Sequence, residues 1–143
     1  MAAPVNILVV CMGNICRSPM AEGLLRTKLP HTQVSSAGLN AVVGDPAQPH
    51  AVDAMKELGI DISAHKARQI TPELVAAAEL VLVMSSGQKN ELEARYSWAR
   101  GRVFRIGEWD RFDIDDPMGA SPATFLRVRQ LLEQTCNTWI TRL

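Results

Sequence analysis

The sequence predicts an α/β fold, a three-layer domain in which a four-stranded parallel sheet carries helices on both faces. Short apolar runs alternate with longer segments of helical character, which is the order expected for βαβ units with right-handed crossovers. No repeat, low-complexity stretch or charge block interrupts the 143 residues, a length typical of one domain. We therefore expect residues 1–143 to form a single domain.

The first strand is expected over residues 5–10, which are almost all apolar and β-branched, as in a strand covered on both faces. A helix should follow from about Ser18, with Ser18 as its cap, Pro19 in its first turn and Glu22 near its positive end. Residues 33–37 are expected to form the second strand.

The middle of the chain predicts two more helices and a third strand. After a loop over residues 44–49, a helix is expected from about 49 to 58, ended by Gly59. Thr71 should open a short helix, and the apolar run over residues 79–84 is typical of a buried strand.

The last part of the chain predicts one strand between two helices. Ser85 or Ser86 should cap a helix that reaches about Tyr96, and residues 103–106 should form the fourth strand. A polar, Asp-rich loop then leads into a final helix over residues 121–142. The apolar residues of this helix recur near helical spacing and predict a core stripe of Phe125, Val128, Leu132 and Trp139.

Composition excludes several classes of protein. Lys plus Arg equals Asp plus Glu at 15 each, so no net basic field draws nucleic acid or an anionic membrane surface. No apolar run approaches the roughly 20 residues that cross a bilayer. The first ten residues lack the charged start and long apolar core of a signal peptide. We expect a cytoplasmic protein with no membrane insertion and no nucleic-acid partner.

Cysteine usage argues against structural disulfides and zinc. Three cysteines are too few and too unevenly placed for a secreted disulfide framework, and neither a CxxC pair nor a His pair accompanies them. Cys136, inside the last helix, fits a buried small side chain. Cys11 fits that description much less well, because it directly follows the first strand, where α/β folds bind ligands.

Residues 10–19 connect a buried strand to the start of a helix, where unpaired backbone N–H groups and the helix dipole attract anions. Gly13 lacks a Cβ and Asn14 tolerates left-handed backbone, so the loop can turn its amides inward. The loop is not a Walker A sequence, because it carries a thiol and a guanidinium instead. The six-residue step from Cys11 to Arg17 lets sulfur and guanidinium lie on opposite sides of one phosphoryl group.

The inward amides, the helix dipole and Arg17 should stabilise a thiolate on Cys11, the reactive form of cysteine. Arg17 can hold two phosphate oxygens at once, and the Ser18 hydroxyl can donate toward the sulfur. Alternatively, Cys11 and Arg17 are ordinary packing and surface residues, which leaves the Gly13-Asn14 turn between strand and helix unexplained. The loop therefore predicts a phosphatase with Cys11 as nucleophile. Since Arg17 and the amides supply the positive potential, we expect no metal and no cofactor.

The segment CMGNICRSP resembles the signature C-x5-R-S/T of the low-molecular-weight protein-tyrosine phosphatases, which also lies near the start of the chain. Residues 36–39 (SAGL), 65–70 (HKARQI) and 116–117 (DP) resemble further landmarks in the family's order, so the resemblance covers essentially the whole chain. It implies the flavodoxin-like fold of these phosphatases and hydrolysis of phosphotyrosine through a phosphocysteine intermediate.

The resemblance also implies roles for individual residues. Cys11 would attack phosphorus, Arg17 would bind the equatorial oxygens, and Ser18 would ease departure of the thiolate in the second step. Asp116, which precedes proline as the family's acid does, would protonate the leaving phenolate and then activate water. Asp115 is the alternative acid, and Asp116 could instead be a loop acid that caps the turn before the proline.

A second group of residues would support the loop or contact the substrate. Asn14, Ser36 and His65 resemble the family's loop-supporting network, although without this resemblance His65 would be taken as a solvated or packed histidine. The implied substrate contacts are Met12, Gly13, Asn14, Ile15, Cys16, Leu39 and Met118. Met118 stands where the family often has Tyr, an aromatic wall for the substrate ring, but Met can also line an apolar slot. Ile15 favours phosphotyrosine, because the related protein-arginine phosphatases carry Thr at that position.

Cys16 has two interpretations. The resemblance implies a reversible Cys11–Cys16 disulfide that protects the nucleophile from over-oxidation. Otherwise Cys16 is a buried small side chain.

Two other functions compete with the phosphatase interpretation. Arsenate reductases share the fold and the loop but need further redox cysteines near the third strand, and residues 84–92 contain none. A phosphate-binding module without catalysis would not need Cys11, Arg17 and a candidate acid together.

Among phosphatases, the chain resembles the bacterial branch associated with capsule and exopolysaccharide operons. That branch implies an autophosphorylating membrane tyrosine kinase, with a Tyr-rich tail, as the partner.

Overall fold

A computed structural model describes residues 6–143. The first residue of the strand expected over 5–10, and half of the segment considered as a signal peptide, lie outside these residues. The elements in chain order are β1 Asn6–Cys11, α1 Arg17–Lys28, β2 Gln33–Gly38, α2 Pro49–Lys56, α3 Pro72–Ala77, β3 Leu80–Val83, α4 Ser86–Arg95, β4 Val103–Arg105 and α5 Pro122–Arg142. A short 3-10 turn, Ser97–Ala99, follows α4 and was not expected from the sequence.

Within residues 6–143, four parallel strands form one sheet in the order β2-β1-β3-β4. Cys11, the last residue of β1, pairs with Gly38 of β2, and Val10 pairs with Val83 of β3. The chain moves outward from β1 to β2 and then crosses to β3 on the other side, so strand order reverses at β1. The carboxyl end of β1 is therefore the switch point at which such sheets bind ligands, and Cys11 lies there.

Apolar side chains cover both faces of the sheet, as the alternation of a strand requires. Ile7 and Val9 of β1 belong to the layer that contains residues of α1, α2 and α5, whereas Leu8 and Val10 belong to the layer that contains residues of α3 and α4. The predicted stripe of α5 is buried, since Phe125, Val128, Leu132 and Trp139 are all at most 4% exposed. These observations confirm the α/β three-layer prediction.

Helix caps agree with the sequence in two places. Thr71 caps α3 by accepting a hydrogen bond from the Leu74 amide. Ser85, and not Ser86, caps α4 through the amide of Gln88. The helix expected over 49–58 ends at Lys56, and Gly59 lies in the turn that follows, with a φ of +73°.

The start of α1 differs from the prediction. The helix begins at Arg17, Cys16 occupies the cap position, and the first turn contains no acidic residue because Glu22 lies one turn further on. Ser18 is inside the first turn, and its hydroxyl lies 2.9 Å from the Cys11 sulfur. The prediction of Ser18 as a cap was wrong, because this hydroxyl is engaged by the thiol instead of the helix end.

Within residues 6–143, no helix combines the length and apolar character needed to cross a bilayer.

Candidate active site

The loop between β1 and α1 is held by the segment that follows β2. The Leu39 amide donates to the Cys11 carbonyl at 2.9 Å, the Asn40 amide to the Met12 carbonyl at 2.9 Å, and the Val42 amide to the Gly13 carbonyl at 3.1 Å. Gly38 permits this close approach, since a Cβ at that position would lie 2.7 Å from the Met12 carbonyl oxygen. The backbone of the segment after β2 therefore fixes the loop, and the close approach explains why a glycine ends β2.

The Ser18 hydroxyl lies in hydrogen-bond contact with the nucleophile. Its Oγ lies 2.9 Å from Cys11 Sγ and accepts a hydrogen bond from Asn14 Nδ2 at 2.8 Å. Because Asn14 already supplies one hydrogen to this oxygen, the hydrogen of Ser18 itself is free to point at the sulfur. The contact therefore places a possible hydrogen-bond donor at the sulfur.

Asn14 is the central support of the loop. It is fully buried and adopts a φ of 60°, a left-handed conformation that Asn tolerates better than most residues. Besides Ser18, its Nδ2 donates to Ser36 Oγ at 2.9 Å, and its Oδ1 accepts from the Arg68 amide at 2.9 Å. Its carbonyl lies 2.6 Å from His65 Nε2, and since a carbonyl only accepts, His65 carries a hydrogen on Nε2.

Two members of this network were not assigned from the sequence. Ser36 Oγ donates to Glu22 Oε1 at 2.5 Å, so a chain of hydrogen bonds runs from Glu22 through Ser36, Asn14 and Ser18 to the sulfur. Glu22 was expected only to favour the helix dipole. Arg68 contributes its backbone amide, a role that no side-chain pattern indicates, and its presence within the HKARQI match was the only available signal.

Arg17 is 5% exposed and its guanidinium is held at one end. Nη1 donates to the Ile114 carbonyl at 2.8 Å, whereas Nε is buried and has no partner among residues 6–143. An unpaired buried donor costs about 1–3 kcal/mol, which is offset if a ligand accepts from it. The edge formed by Nε and Nη2 has the fork geometry that matches two oxygens of a phosphate.

Asp116 is the carboxylate that faces the guanidinium. Its Oδ2 lies 3.6 Å from Arg17 Nη2, and its Oδ1 accepts from the Met118 amide at 3.0 Å. Asp115 points elsewhere, since its carboxylate is 3.9 Å from Arg127 Nη1 and its side chain is 75% exposed. The geometry favours Asp116 over Asp115 as the acid. Asp116 also caps the turn at the proline, so its interpretations as general acid and as turn cap are compatible.

A cavity of about 210 Å³ lies above the sulfur. Its lining consists of Cys11, Met12, Gly13, Ile15, Cys16, Arg17, Asn40, Val42, Asp116 and Met118. The expectation that Leu39 contacts substrate is wrong, because its side chain is 1% exposed and packs in the core layer on the α3 and α4 side of the sheet. Asn40 and Val42 from the same segment line the cavity instead, and the Asn14 side chain lies beneath the loop as a support.

Cys16 shares the cavity with the nucleophile. Burial, followed by the nearby Cys11 and Asp116, raises the pKa of Cys16 to about 12, against a smaller lowering by Arg17. The thiol is therefore neutral at physiological pH, and it contacts Met118 Sδ at 3.9 Å.

Cys136 is fully buried in the core, as expected of a small packing residue. No group of three or more potential metal ligands occurs among the described residues.

A larger cavity of about 510 Å³ lies beside the supporting network, between α1 and residues 60–68. Glu22, Ser36, His65 and Arg68 line part of it, but neither Cys11 nor Arg17 does. Despite its size it contains no cysteine and not the Asp116 carboxylate, so the smaller cavity, which holds Cys11, Arg17 and Asp116 together, is the candidate active site.

Known proteins share both this fold and this sequence pattern. The family model described as "Low molecular weight phosphotyrosine protein phosphatase" matches residues 6–143. The "Probable low molecular weight protein-tyrosine-phosphatase EpsP" of Ralstonia solanacearum is 49% identical over 138 residues, which is 96% of this chain and 95% of that protein.

Solved structures give the same picture. The tyrosine phosphatase amsI of Erwinia amylovora superimposes with a TM-score of 0.95 at 36% identity, covering 99% of this chain and 95% of that one. The YwlE arginine phosphatase of Geobacillus stearothermophilus does so with a TM-score of 0.92, also at 36% identity, covering 97% of this chain and 92% of that one. Backbone similarity alone therefore does not separate tyrosine from arginine phosphatases.

Proposed function

Because the chain belongs to the low molecular weight phosphotyrosine protein phosphatase family, we propose that it hydrolyses phosphotyrosine in proteins and that Cys11 forms the phosphocysteine intermediate. The observation that carries this proposal is the convergence of three groups on one cavity. These are the Cys11 sulfur, the Arg17 guanidinium with its unpaired Nε, and the Asp116 carboxylate.

In the first step, the Cys11 thiolate attacks phosphorus and the bond from phosphorus to the phenolic oxygen breaks. Asp116, in its acid form, gives its proton to that oxygen, so tyrosine leaves as the neutral phenol. Arg17 and the loop amides hold the phosphoryl oxygens and stabilise the charge of the transition state.

In the second step, the Asp116 carboxylate takes a proton from a water molecule, and the oxygen of that water attacks phosphorus. The sulfur–phosphorus bond breaks, inorganic phosphate is released and the thiolate returns. The Ser18 hydroxyl stabilises the departing thiolate across the 2.9 Å contact to its sulfur.

The cavity walls support phosphotyrosine over phosphoarginine. Ile15, Met12, Val42 and Met118 supply apolar surface that suits an aromatic ring. The guanidinium of phosphoarginine would bring N–H donors against the Ile15 side chain, which offers no acceptor there, unlike the threonine hydroxyl of the protein-arginine phosphatases. Against arsenate reduction, the one remaining cysteine, Cys136, is in the core and does not line the cavity.

The direct test compares peptides that carry phosphotyrosine, phosphoarginine or phosphoserine, with phosphate release as the measurement. Wild type should act on phosphotyrosine at least a hundredfold faster than on the others, and Cys11→Ser should release no phosphate. A matched pair then assigns the acid on an aryl phosphate with a poor leaving group. Asp116→Ala should lose far more activity than Asp115→Ala, and the reverse order would contradict the assignment.

We further propose that the physiological substrate is an autophosphorylating tyrosine kinase of exopolysaccharide production, and that both proteins meet in the cytoplasm. The resemblance to the capsule-associated branch supports the kinase. A reducing compartment suits a thiolate nucleophile with a second thiol in the same cavity. Asp116→Ala used as a trap should enrich such a kinase, whereas repeated recovery of unrelated phosphoproteins would count against it.

A further inference from the structure

Exposed apolar side chains concentrate at the mouth of the active-site cavity. Among residues 6–143, the exposed large apolar side chains are Met12, Val42, Val43, Leu58, Trp98, Trp109 and Met118. Met12, Val42 and Met118 line the cavity, and Val43, at 68% the most exposed of all, directly follows Val42. We call Met12, Val42, Val43 and Met118 the apolar rim.

The charges around the apolar rim are unfavourable for acidic neighbours of a phosphotyrosine. Arg17 is the only cation among the cavity residues of the described chain. Its Nη1 donates to the Ile114 carbonyl, its Nη2 lies 3.6 Å from Asp116 Oδ2, and its Nε is left for a phosphate oxygen. The other charged lining residue is Asp116, and next to it Asp115 is 75% exposed. At the cavity wall an acidic flank would therefore meet Asp116 and apolar surface, and Arg127 nearby already lies 3.9 Å from the Asp115 carboxylate.

The segment that carries the two valines is fixed by hydrogen bonds. The Val42 amide donates to the Gly13 carbonyl at 3.1 Å, the Asp45 amide to the Val42 carbonyl at 3.0 Å, and the Gly44 amide to the Ala67 carbonyl at 2.9 Å. Valine side chains also have few rotamers. The exposed valines are thus held in place before any partner binds, and a preformed apolar surface loses little entropy on binding.

We propose that the apolar rim is the docking surface for the residues that flank the phosphotyrosine, and that it selects flexible peptide segments with aliphatic or aromatic flanks over acidic ones. The inference rests on the proposed function and names the substrate class of the same site. Val43 is its key residue, because it is highly exposed and does not line the cavity where the chemistry occurs.

The test uses two phosphotyrosine peptides of equal length that differ only at the two positions on each side of the phosphotyrosine, Leu in one and Glu in the other. Wild type should prefer the Leu peptide by about tenfold in kcat/KM, which corresponds to about 1.4 kcal/mol, the scale expected for burial of about one aliphatic side chain. Val43→Ser should reduce the preference, and Val43→Lys should reduce it further by attracting the Glu peptide. Leu58→Ser is the matched control, since Leu58 is 39% exposed and does not line the cavity, and it should keep the wild-type preference.

For every variant, peptide turnover is divided by turnover of p-nitrophenyl phosphate. This ratio corrects for different fractions of active enzyme in the preparations. Equal kcat/KM on the two peptides, or the same change in Val43→Ser and Leu58→Ser, would overturn the inference. Failure of wild type to release phosphate from either peptide would instead overturn the proposed function, and the inference with it.

Discussion

Replacement of Asn14 tests how the loop is supported. Asn14→Ala removes three hydrogen bonds of the side chain, to Ser18, to Ser36 and from the Arg68 amide. At about 1 kcal/mol each, these bonds contribute about 3 kcal/mol. The φ of 60° adds about 1 kcal/mol for a residue with a Cβ that lacks the local bonding of Asn. We expect the free energy of unfolding to fall by about 4 kcal/mol in total.

Two further variants at this position separate the causes. Asn14→Gly loses the same bonds without the left-handed cost, so its free energy of unfolding should fall by about 3 kcal/mol. Asn14→Asp keeps the acceptor for Arg68 but replaces the amide donor by a negative oxygen that faces Ser18. It should be more stable than Asn14→Ala and still lose activity, because the added charge opposes both the thiolate and the phosphate.

Urea unfolding followed by tryptophan fluorescence gives the stabilities, and kcat/KM on p-nitrophenyl phosphate gives the activity. The reasoning is refuted if Asn14→Ala unfolds within about 1 kcal/mol of wild type and keeps its kcat/KM. It is also refuted if Asn14→Gly is less stable than Asn14→Ala, because the left-handed backbone would then carry no cost.

Two other predictions follow from single side chains. Ser18→Ala should lower kcat about 10- to 100-fold, because loss of the thiolate from phosphorus becomes slower. In stopped-flow measurements with p-nitrophenyl phosphate, the initial burst of p-nitrophenol should therefore become more pronounced. An equal slowing of the burst and of the steady state would contradict this role of Ser18. Burial raises the pKa of Cys136 from 9.0 to about 12, so the native thiol keeps a proton that the unfolded chain loses. The protonated Cys136 thiol should therefore contribute fully to the free energy of unfolding below about pH 9. This contribution should be lost as the pH rises toward 12, at up to about 1.4 kcal/mol per pH unit. The difference in unfolding free energy between wild type and Cys136→Ala should shrink between pH 8 and 11, and a constant difference would contradict this.

Features that depend on neighbouring residues were readable from the sequence. The apolar run of β1, the Gly13-Asn14 turn and the step from Cys11 to Arg17 lie within one short segment, so the strand, the loop and the candidate nucleophile followed from local patterns. The caps at Thr71 and Ser85 are local in the same sense.

Features that depend on residues far apart in the chain were not readable. The anchor of Arg17 is the carbonyl of Ile114, and Asn14 is held by the amide of Arg68, and any residue type can supply a backbone group. The prediction that Leu39 contacts substrate failed for a related reason. Its landmark position suggested substrate contact, but which sheet face it meets depends on how the chain turns after Gly38.

The most direct test of the central claim is the chemical identity of the intermediate. Ser18→Ala mixed with p-nitrophenyl phosphate, quenched in denaturant within the burst and digested, should give a Cys11 peptide that carries one phosphoryl group, detected by mass spectrometry. The modification should disappear when substrate is exhausted and should be absent from Cys11→Ala, which has no nucleophilic atom at this position. Phenol release without phosphate on Cys11, or phosphate found on another residue during the burst, would contradict the assignment of Cys11 as nucleophile.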